Sequence, residues 1–493
     1  MYIRKGVQTE MDESRRKFYA VSFMAILLIV QFCFALPNVY PDDVSNPEKK
    51  LATISIVCVI SLIVEVIIWK KYTGEFFSPY MVFFLVLYIF TCGQSIGWAT
   101  GLDMGKKDLW SRVDHGLDRH LLTSGLCYSM LAVSCFHFGA VIRYSGTSPR
   151  KKKKVWSAEC VENTYRKLGR LLLLIAIPAF AAKALQDVMA VSSGGYKEYY
   201  VVNDSRSAVM SIMSLLAGYY QPCLLLLLIG NRSNERKRRW IVCFMLLDII
   251  LSLYIGGRSD AVMSLLGIFL AYHLYVKPFS WKQSVVFGGA GFLSVIFLNG
   301  IASIRGTAGR GLTDLIDAFG KSPSSAVGDL VGELGWTITS ICWTMDLVPS
   351  RYPFRYGMSY LVSLISWIPS TVFGGRTNSP VVKWGNLSNW LMNSLNMNYG
   401  PGYTTVAESY INFGWGGLII MIIEGAVMCR LLASIHRKNT EEDLFGSTFQ
   451  ILIIMILMKS IVRSSFSVAM RSAVFVLIPL YCLLRFSLEK EEG

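Results

Sequence analysis

Apolar residues come in long runs along this 493-residue chain. Runs of about 17 to 25 residues, long enough to cross a bilayer core of roughly 30 Å as helices, recur along most of it. They fall at 18–36, 51–69, 80–99, 120–142, 170–190, 207–229, 240–256, 259–276 and 284–304, then at 406–430, 447–463 and 472–487. The pattern predicts an all-α, polytopic integral membrane protein with about twelve transmembrane helices, bounded by eleven and fourteen. Between the ninth and tenth runs lies a long mixed segment, 305–404, rich in Gly, Ser, Trp and Tyr. Within it GMSYLVSLISWIPSTVF, 357–373, is apolar but short and is interrupted at Pro369, the pattern of a re-entrant or interfacial helix. A pair of further spans there is the alternative. Other loops are mostly short, so 1–493 is expected to be a single membrane domain, with 305–404 as its extracytoplasmic cap.

Composition supports the class and charge orients it. Hydrophobic residues make up 53% and charged residues 16%, with a mean hydropathy of +0.44, which excludes a soluble multidomain protein. The first run follows Arg15, Arg16 and Lys17 but lacks a small-x-small cleavage site, as expected of a retained signal anchor. The net charge of +15 collects in short loops: Lys70 and Lys71; Arg150 to Lys154 with Arg166 and Lys167; Arg236 to Arg239; Arg430, Arg437 and Lys438. On the twelve-span topology these all share the side of the N-terminus. The positive-inside rule makes that side, with both termini, cytoplasmic, and leaves nucleic acid no role. Cysteines such as Cys58, Cys127 and Cys342 sit inside apolar runs without metal-ligand spacing. No P-loop, Rossmann or HExxH motif occurs, so no metal or nucleotide cofactor is expected.

Cations predicted on the external side gain nothing from that rule, and answer to something anionic. Arg258 stands in GGRSD, a glycine hairpin between the seventh and eighth runs; the alternative is a turn closed by an Arg258–Asp260 pair. Arg305 and Arg310, in SIRGTAGRG, set two guanidinium forks among glycines, a pattern suited to pyrophosphate oxygens or to anionic lipid headgroups. Lys459 and Arg463 are four residues apart on one helix face, and Arg471 follows after a short polar turn. Snorkelling to the interface is the alternative for that group.

The external acids are Glu408, in GPGYTTVAESYINFGWGG (400–417), Glu333, in GDLVGELGW, and Asp260, with His115 and His120 in the loop after the third run. Glu408 ranks first as proton acceptor for a hydroxyl, at the mouth of the tenth span; the alternative is an acid stabilising a helix N-terminus. Tyr403, Tyr410 and Asn412 beside it offer polar and aromatic contacts suited to sugar. Asp248, inside the seventh run, is expected to find a partner such as Lys459. Glu65 and Glu424 are expected to be solvated near the cytoplasmic ends. Asp42 and Asp43 resemble an acidic first-loop motif of lipid-linked glycosyltransferases, or form a solvated turn.

The order GELGWTITSICWTMDLVP, YGMSYLVSLISWIPS, GPGYTTVAESYINFGWGG resembles the Wzy-type oligosaccharide repeat-unit polymerases of O-antigen and capsule assembly, most clearly over 330–430. The paired arginine and glycine loop signature of some members is not identified here. The resemblance implies a glycosyltransferase of the cytoplasmic membrane that joins repeat units carried on undecaprenyl pyrophosphate at the external face. Arg258, Arg305 and Arg463 would then meet charge on the leaving pyrophosphate. Arg310, Lys459, Arg471, Glu333 and Asp260 would help to bind substrate, and Trp336, Trp367, Trp384, Trp390, Tyr399 and Tyr403 would stack on sugars or form interfacial belts. Membrane lipids, a flippase and a chain-length regulator are the implied partners. A flippase of lipid-linked oligosaccharide and an O-antigen ligase are the rival readings.

Overall fold

The computed structural model describes residues 2–39, 46–74, 76, 78–111, 117–144, 156–204, 207–255, 258–277, 326–375, 378–397, 400–433 and 443–492. All regular structure among them is helical. In chain order the helices are α1 (Tyr2–Val39), α2 (Pro47–Thr73), α3 (Pro79–Thr100), α4 (Arg119–Arg143), α5 (Ala158–Asp204), α6 (Ala208–Ala217), α7 (Tyr220–Gly230), α8 (Glu235–Ile255) and α9 (Arg258–Tyr275). There follow α10 (Ala326–Leu334), α11 (Thr339–Leu347), α12 (Met358–Ser363), α13 (Leu387–Ser394), α14 (Thr405–Phe413), α15 (Gly417–Leu432), α16 (Leu444–Arg463), α17 (Phe466–Ser472) and α18 (Ile478–Glu492). Nine helical stretches among the described residues, Thr405–Leu432 counted as one, are long and apolar enough to cross a membrane. The eighth predicted run appears as the shorter apolar helix Ala261–Tyr275, α8 falls outside the nine, and 284–304 lies outside the described residues.

The described chain forms two compact units, one of residues 1–151, 328–434 and 460–471, the other of 152–327, 435–459 and 472–493. In the first, α3 and α4 are enclosed while α1 and α2 turn one face outward. Along α2 the exposed large apolar residues are Ile56, Ile60, Ile63 and Ile67, whereas the buried face carries Cys58, Ser61, Glu65 and Trp69. Apolar outside and small or polar inside is the pattern of a helix against lipid. Local chemistry fixes the starts: Ser78 caps α3 by accepting from the Met81 amide, with Pro79 at the first helical position, and Asp118 caps α4 through the Leu121 amide at 2.6 Å. The helices α4 and α15 touch backbone to backbone. A Cβ on Gly139 would sit 1.9 Å from the Ile422 carbonyl oxygen, and one on Gly425 1.8 Å from that of Phe136, so only glycine permits this approach.

Residues 326–347 are helical almost throughout, α10 and α11 joined by a 3₁₀ turn over Gly335–Ile338, and lie along α3 and α4. The Thr337 hydroxyl donates to the Phe90 carbonyl, and Gln94 Nε2 donates to the carbonyls of Gly332 and Lys107, each at 2.8 Å. The apolar stretch 357–373 forms the six-residue α12, turns past Pro369 and a 3₁₀ turn, so it contains no spanning helix.

The tenth predicted span folds back on itself. Thr405 Oγ1 donates to Glu424 at 2.6 Å across 19 residues, whereas a continuous helix rising about 1.5 Å per residue would hold them about 28 Å apart. The helices α14 and α15 are therefore an antiparallel pair, reversed at Gly414–Gly416. Gly414 takes φ +56° and ψ −133°, a region open essentially to glycine.

In the second unit the run 207–229 is divided at Gly218 and Tyr219 into α6 and α7, both packed on α5. Phe180 stacks on Tyr220 at 4.0 Å, and an Arg232–Glu162 ion pair at 2.7 Å ties α5 to the turn after α7. Asp248 accepts from Gln221 Nε2 at 2.8 Å, giving it a neutral partner between neighbouring helices. Glu491 of α18 accepts from Lys167 and Thr164 on α5.

Candidate active site

The fold-back places GPGYTTVAESYINFGWGG at the centre of the first unit rather than at an open mouth. Thr404 caps α14 by accepting from the Ala407 amide, which sets Glu408 in the first turn. Glu408 is wholly buried, and protein donors hold both its oxygens: Ser359 Oγ donates to Oε1 at 2.7 Å and the Phe466 amide to Oε2 at 2.6 Å. Asn412 Nδ2 donates to Ser359 Oγ and to the Glu408 carbonyl, each at 2.7 Å, while its Oδ1 accepts from the Gly357 amide at 3.0 Å. Glu408 thus joins three separated segments, the start of α12, α14 and the start of α17. Two buried, charge-assisted hydrogen bonds of this kind hold those segments in register.

Around this node the polar groups are dense. The buried Tyr403 hydroxyl lies 2.9 Å from Thr344 Oγ1, and its amide donates to the Arg463 carbonyl at 3.4 Å. A Cβ on Gly402 would lie 3.9 Å from Arg463 Cγ, so this turn packs on the arginine itself. Tyr410 is a core aromatic, edge-on to Tyr128 at 5.1 Å, and Tyr128 in turn donates to the Gly414 carbonyl at 3.2 Å. The second carboxylate, Glu424, accepts from Tyr360 OH at 3.2 Å and from Thr405. It is bonded rather than solvated, and Glu65, buried on α2, likewise differs from the solvated expectation; both occupy inner helix faces that charge counting alone does not locate.

One residue of this cluster was not singled out by sequence. Arg355, in RYPFRYG, is buried; its amide donates to the Ile411 carbonyl and its guanidinium to the Trp384 carbonyl at 2.5 Å. Its Cζ lies 5.7 Å from the Trp384 ring centre and 5.1 Å from that of Trp390. Among the described residues no carboxylate comes within ion-pair distance of it. Burial lowers the Arg355 pKa from the usual guanidinium value, while Tyr403 and Glu408 nearby act in the opposite direction. A guanidinium keeps its charge even so. Arg355 is therefore a buried cation close to two indoles, with a carboxylate near but not paired. The signal was present: it is a basic residue inside a segment predicted to be external, the criterion that selected Arg258.

The first unit thus brings together Glu408, Tyr403, Tyr410, Asn412 and Arg463. Arg471 stands exposed at the end of α17, and Glu333 lies in α10, whose Gly328 and Gly332 pack against residues 103–107. Arg258 and Asp260 open α9 and Lys459 lies within α16, in the second unit, with side chains outside the described set. Arg305, Arg310, Tyr399, His115, Asp42 and Asp43 lie outside the described residues. Among the described residues, no group of three or more His, Cys, Asp or Glu side chains could hold a metal ion.

These features define an all-helical, multi-pass membrane protein with a polar, aromatic and cationic cluster inside one helical unit. The chain belongs to the O-antigen polysaccharide polymerase Wzy family, which it matches over residues 18–491. No curated protein and no solved structure matches it. Membership makes it a membrane polymerase of glycosyltransferase type.

Proposed function

We propose that this protein joins oligosaccharide repeat units carried on undecaprenyl pyrophosphate, at the external face of a bacterial cytoplasmic membrane with both termini inside. A hydroxyl of one unit attacks the anomeric carbon of the growing chain, the bond from that carbon to the carrier's phosphate oxygen breaks, the lipid pyrophosphate leaves with the bonding pair, and the hydroxyl proton passes to the departing phosphate or to water. Capsule, exopolysaccharide and O-antigen are all products of this chemistry.

The observation that carries this reading is the buried Arg355, against the rings of Trp384 and Trp390 and without an ion pair among the described residues, beside the Glu408 node. A preorganised cation in a poorly hydrated site stabilises charge that develops on a leaving pyrophosphate, and such stabilisation is commonly the dominant source of rate enhancement. Indole faces suit the apolar faces of sugar rings. Arg463 joins Arg355 as a second cation of the same unit, and Arg258, Arg305, Arg310, Lys459 and Arg471 are proposed as further charges for carrier binding. Glu408 has both oxygens occupied, and is assigned the positioning of Ser359, α14 and α17.

The test is reconstitution of the purified protein with a synthetic undecaprenyl-pyrophosphate repeat unit. A ladder of chain lengths is the expected product. Translocation of the intact lipid without a ladder would establish the flippase reading instead, and a single transfer to a different acceptor would establish a ligase.

A further inference from the structure

Away from the candidate active site, the first unit encloses a second polar cluster, between α1, α2 and α4. Gln31 on α1 and Glu65 on α2 are each 1% exposed, and Ser134 on α4 joins them. Gln31 Nε2 donates to Ser134 Oγ at 2.9 Å, and Ser134 Oγ donates to Glu65 Oε1. Gln31 Oε1 is buried without a partner. Turning the amide over does not repair this: the single Ser134 proton already goes to Glu65, so the amide nitrogen would become the orphan instead. The serine's one proton is thus spent on the Glu65 carboxylate, and the Gln31 amide oxygen beside it is the acceptor left without a donor.

Among the described residues no positive side chain pairs with that carboxylate. The ionisable groups close enough to interact with it include Cys58 on its own helix, Tyr80, Tyr88 and Cys92 on α3, and Cys135 on α4. His137 on α4 lies beside the Glu65 backbone, with Nδ1 3.1 Å from the Tyr80 hydroxyl. Among the described residues Glu65 makes no ion pair. An uncompensated charge in a membrane-spanning helix is costly and points to a functional site. One small positive species with oxygen ligands would answer both the carboxylate and the orphaned amide oxygen.

We infer that Gln31, Glu65 and Ser134 form a binding site for a single small cation, sodium or a proton, separate from the candidate active site. A cation bound there ties α1, α2 and α4 together through one set of oxygens, and stabilises the folded unit by mass action. The site does not depend on the polymerase reading, because its test measures stability rather than chain growth.

The test is thermal unfolding of the purified full-length protein in detergent, followed by tryptophan fluorescence. Sodium chloride, potassium chloride and choline chloride are compared at equal ionic strength, each over a range of pH. A sodium site raises the midpoint by about 2 °C or more in sodium over choline. A proton site leaves the three salts alike, and instead raises the midpoint as proton concentration rises. Glu65→Gln abolishes whichever response the wild type shows. Gln31→Leu removes the orphan acceptor at similar volume and shifts the half-effect concentration by about tenfold, so it decides the matter if Glu65→Gln does not fold. Identical responses of wild type and both variants to sodium and to pH would overturn the inference.

Discussion

Replacing Glu408 separates holding from proton transfer. In Glu408→Ala, the Phe466 amide and the Ser359 hydroxyl lose their acceptor inside a fully buried site. Each orphaned buried donor costs about 1–3 kcal/mol, and the serine can re-aim its proton, so a loss of about 2–4 kcal/mol is expected. Glu408→Gln keeps the volume and one carbonyl oxygen. If that oxygen takes the Phe466 amide, the new NH₂ meets Ser359 Oγ, and the loss falls to about 1–2 kcal/mol. Thermal unfolding in detergent measures the first quantity and the chain-length ladder from reconstituted protein the second. The positioning role predicts that Glu408→Ala loses both stability and polymer, while Glu408→Gln keeps a ladder at a rate within about tenfold of wild type. A Glu408→Gln protein that unfolds like wild type yet makes no ladder would refute it, and would return Glu408 to the proton-accepting role.

Arg355→Ala is expected to slow chain growth by about 100-fold or more, with Arg355→Lys restoring little because a point charge cannot match the planar fork close to two indoles; equal ladders from all three proteins would remove Arg355 from the mechanism. Gly425→Leu forces a side chain into the α4 backbone and is expected to lower the unfolding midpoint and the folded yield, with Gly139→Leu acting alike; wild-type midpoints would contradict the close approach. Gly414→Ala, at a dihedral pair that L residues avoid, should cost about 1–3 kcal/mol in the same unfolding measurement. Arg258→Ala is expected to leave the protein in the membrane but stop chain growth, read by membrane fractionation beside the ladder assay.

The helical class and most helix positions were legible because runs of Ile, Leu, Val and Phe report burial in lipid directly. The predicted run 51–69 becomes Pro47–Thr73 and 120–142 becomes Arg119–Arg143, with starts marked by Pro47 at the first helical turn and by the Asp118 cap, residues that hydropathy alone does not weigh. What hydropathy missed was direction. Residues 406–430 are apolar enough for one span, and the reversal depends on a single glycine dihedral and on a Thr405–Glu424 bond that no window average contains. The site was legible as a neighbourhood: GPGYTTVAESYINF does gather Tyr403, Glu408 and Asn412 with Arg463. Its inner geometry was not, because Ser359, Arg355 and Phe466 reach it from segments distant in sequence, and neither partnering nor enclosure follows from residue type. Glu65 and Glu424 show the same gap, since a carboxylate near a span end reads as solvated until the facing helix supplies a hydroxyl.

The glycine contact between α4 and α15 sets an order of assembly. The chain makes α4 early, yet the surface that must fit against Gly139 and Phe136 is made hundreds of residues later, after the whole of the second unit's first segment has been synthesised. Until then α4 carries an open notch. The first four helices are therefore an unfinished assembly throughout most of synthesis, completed only when Gly425 arrives, and truncation anywhere before α15 leaves no sub-bundle able to close it.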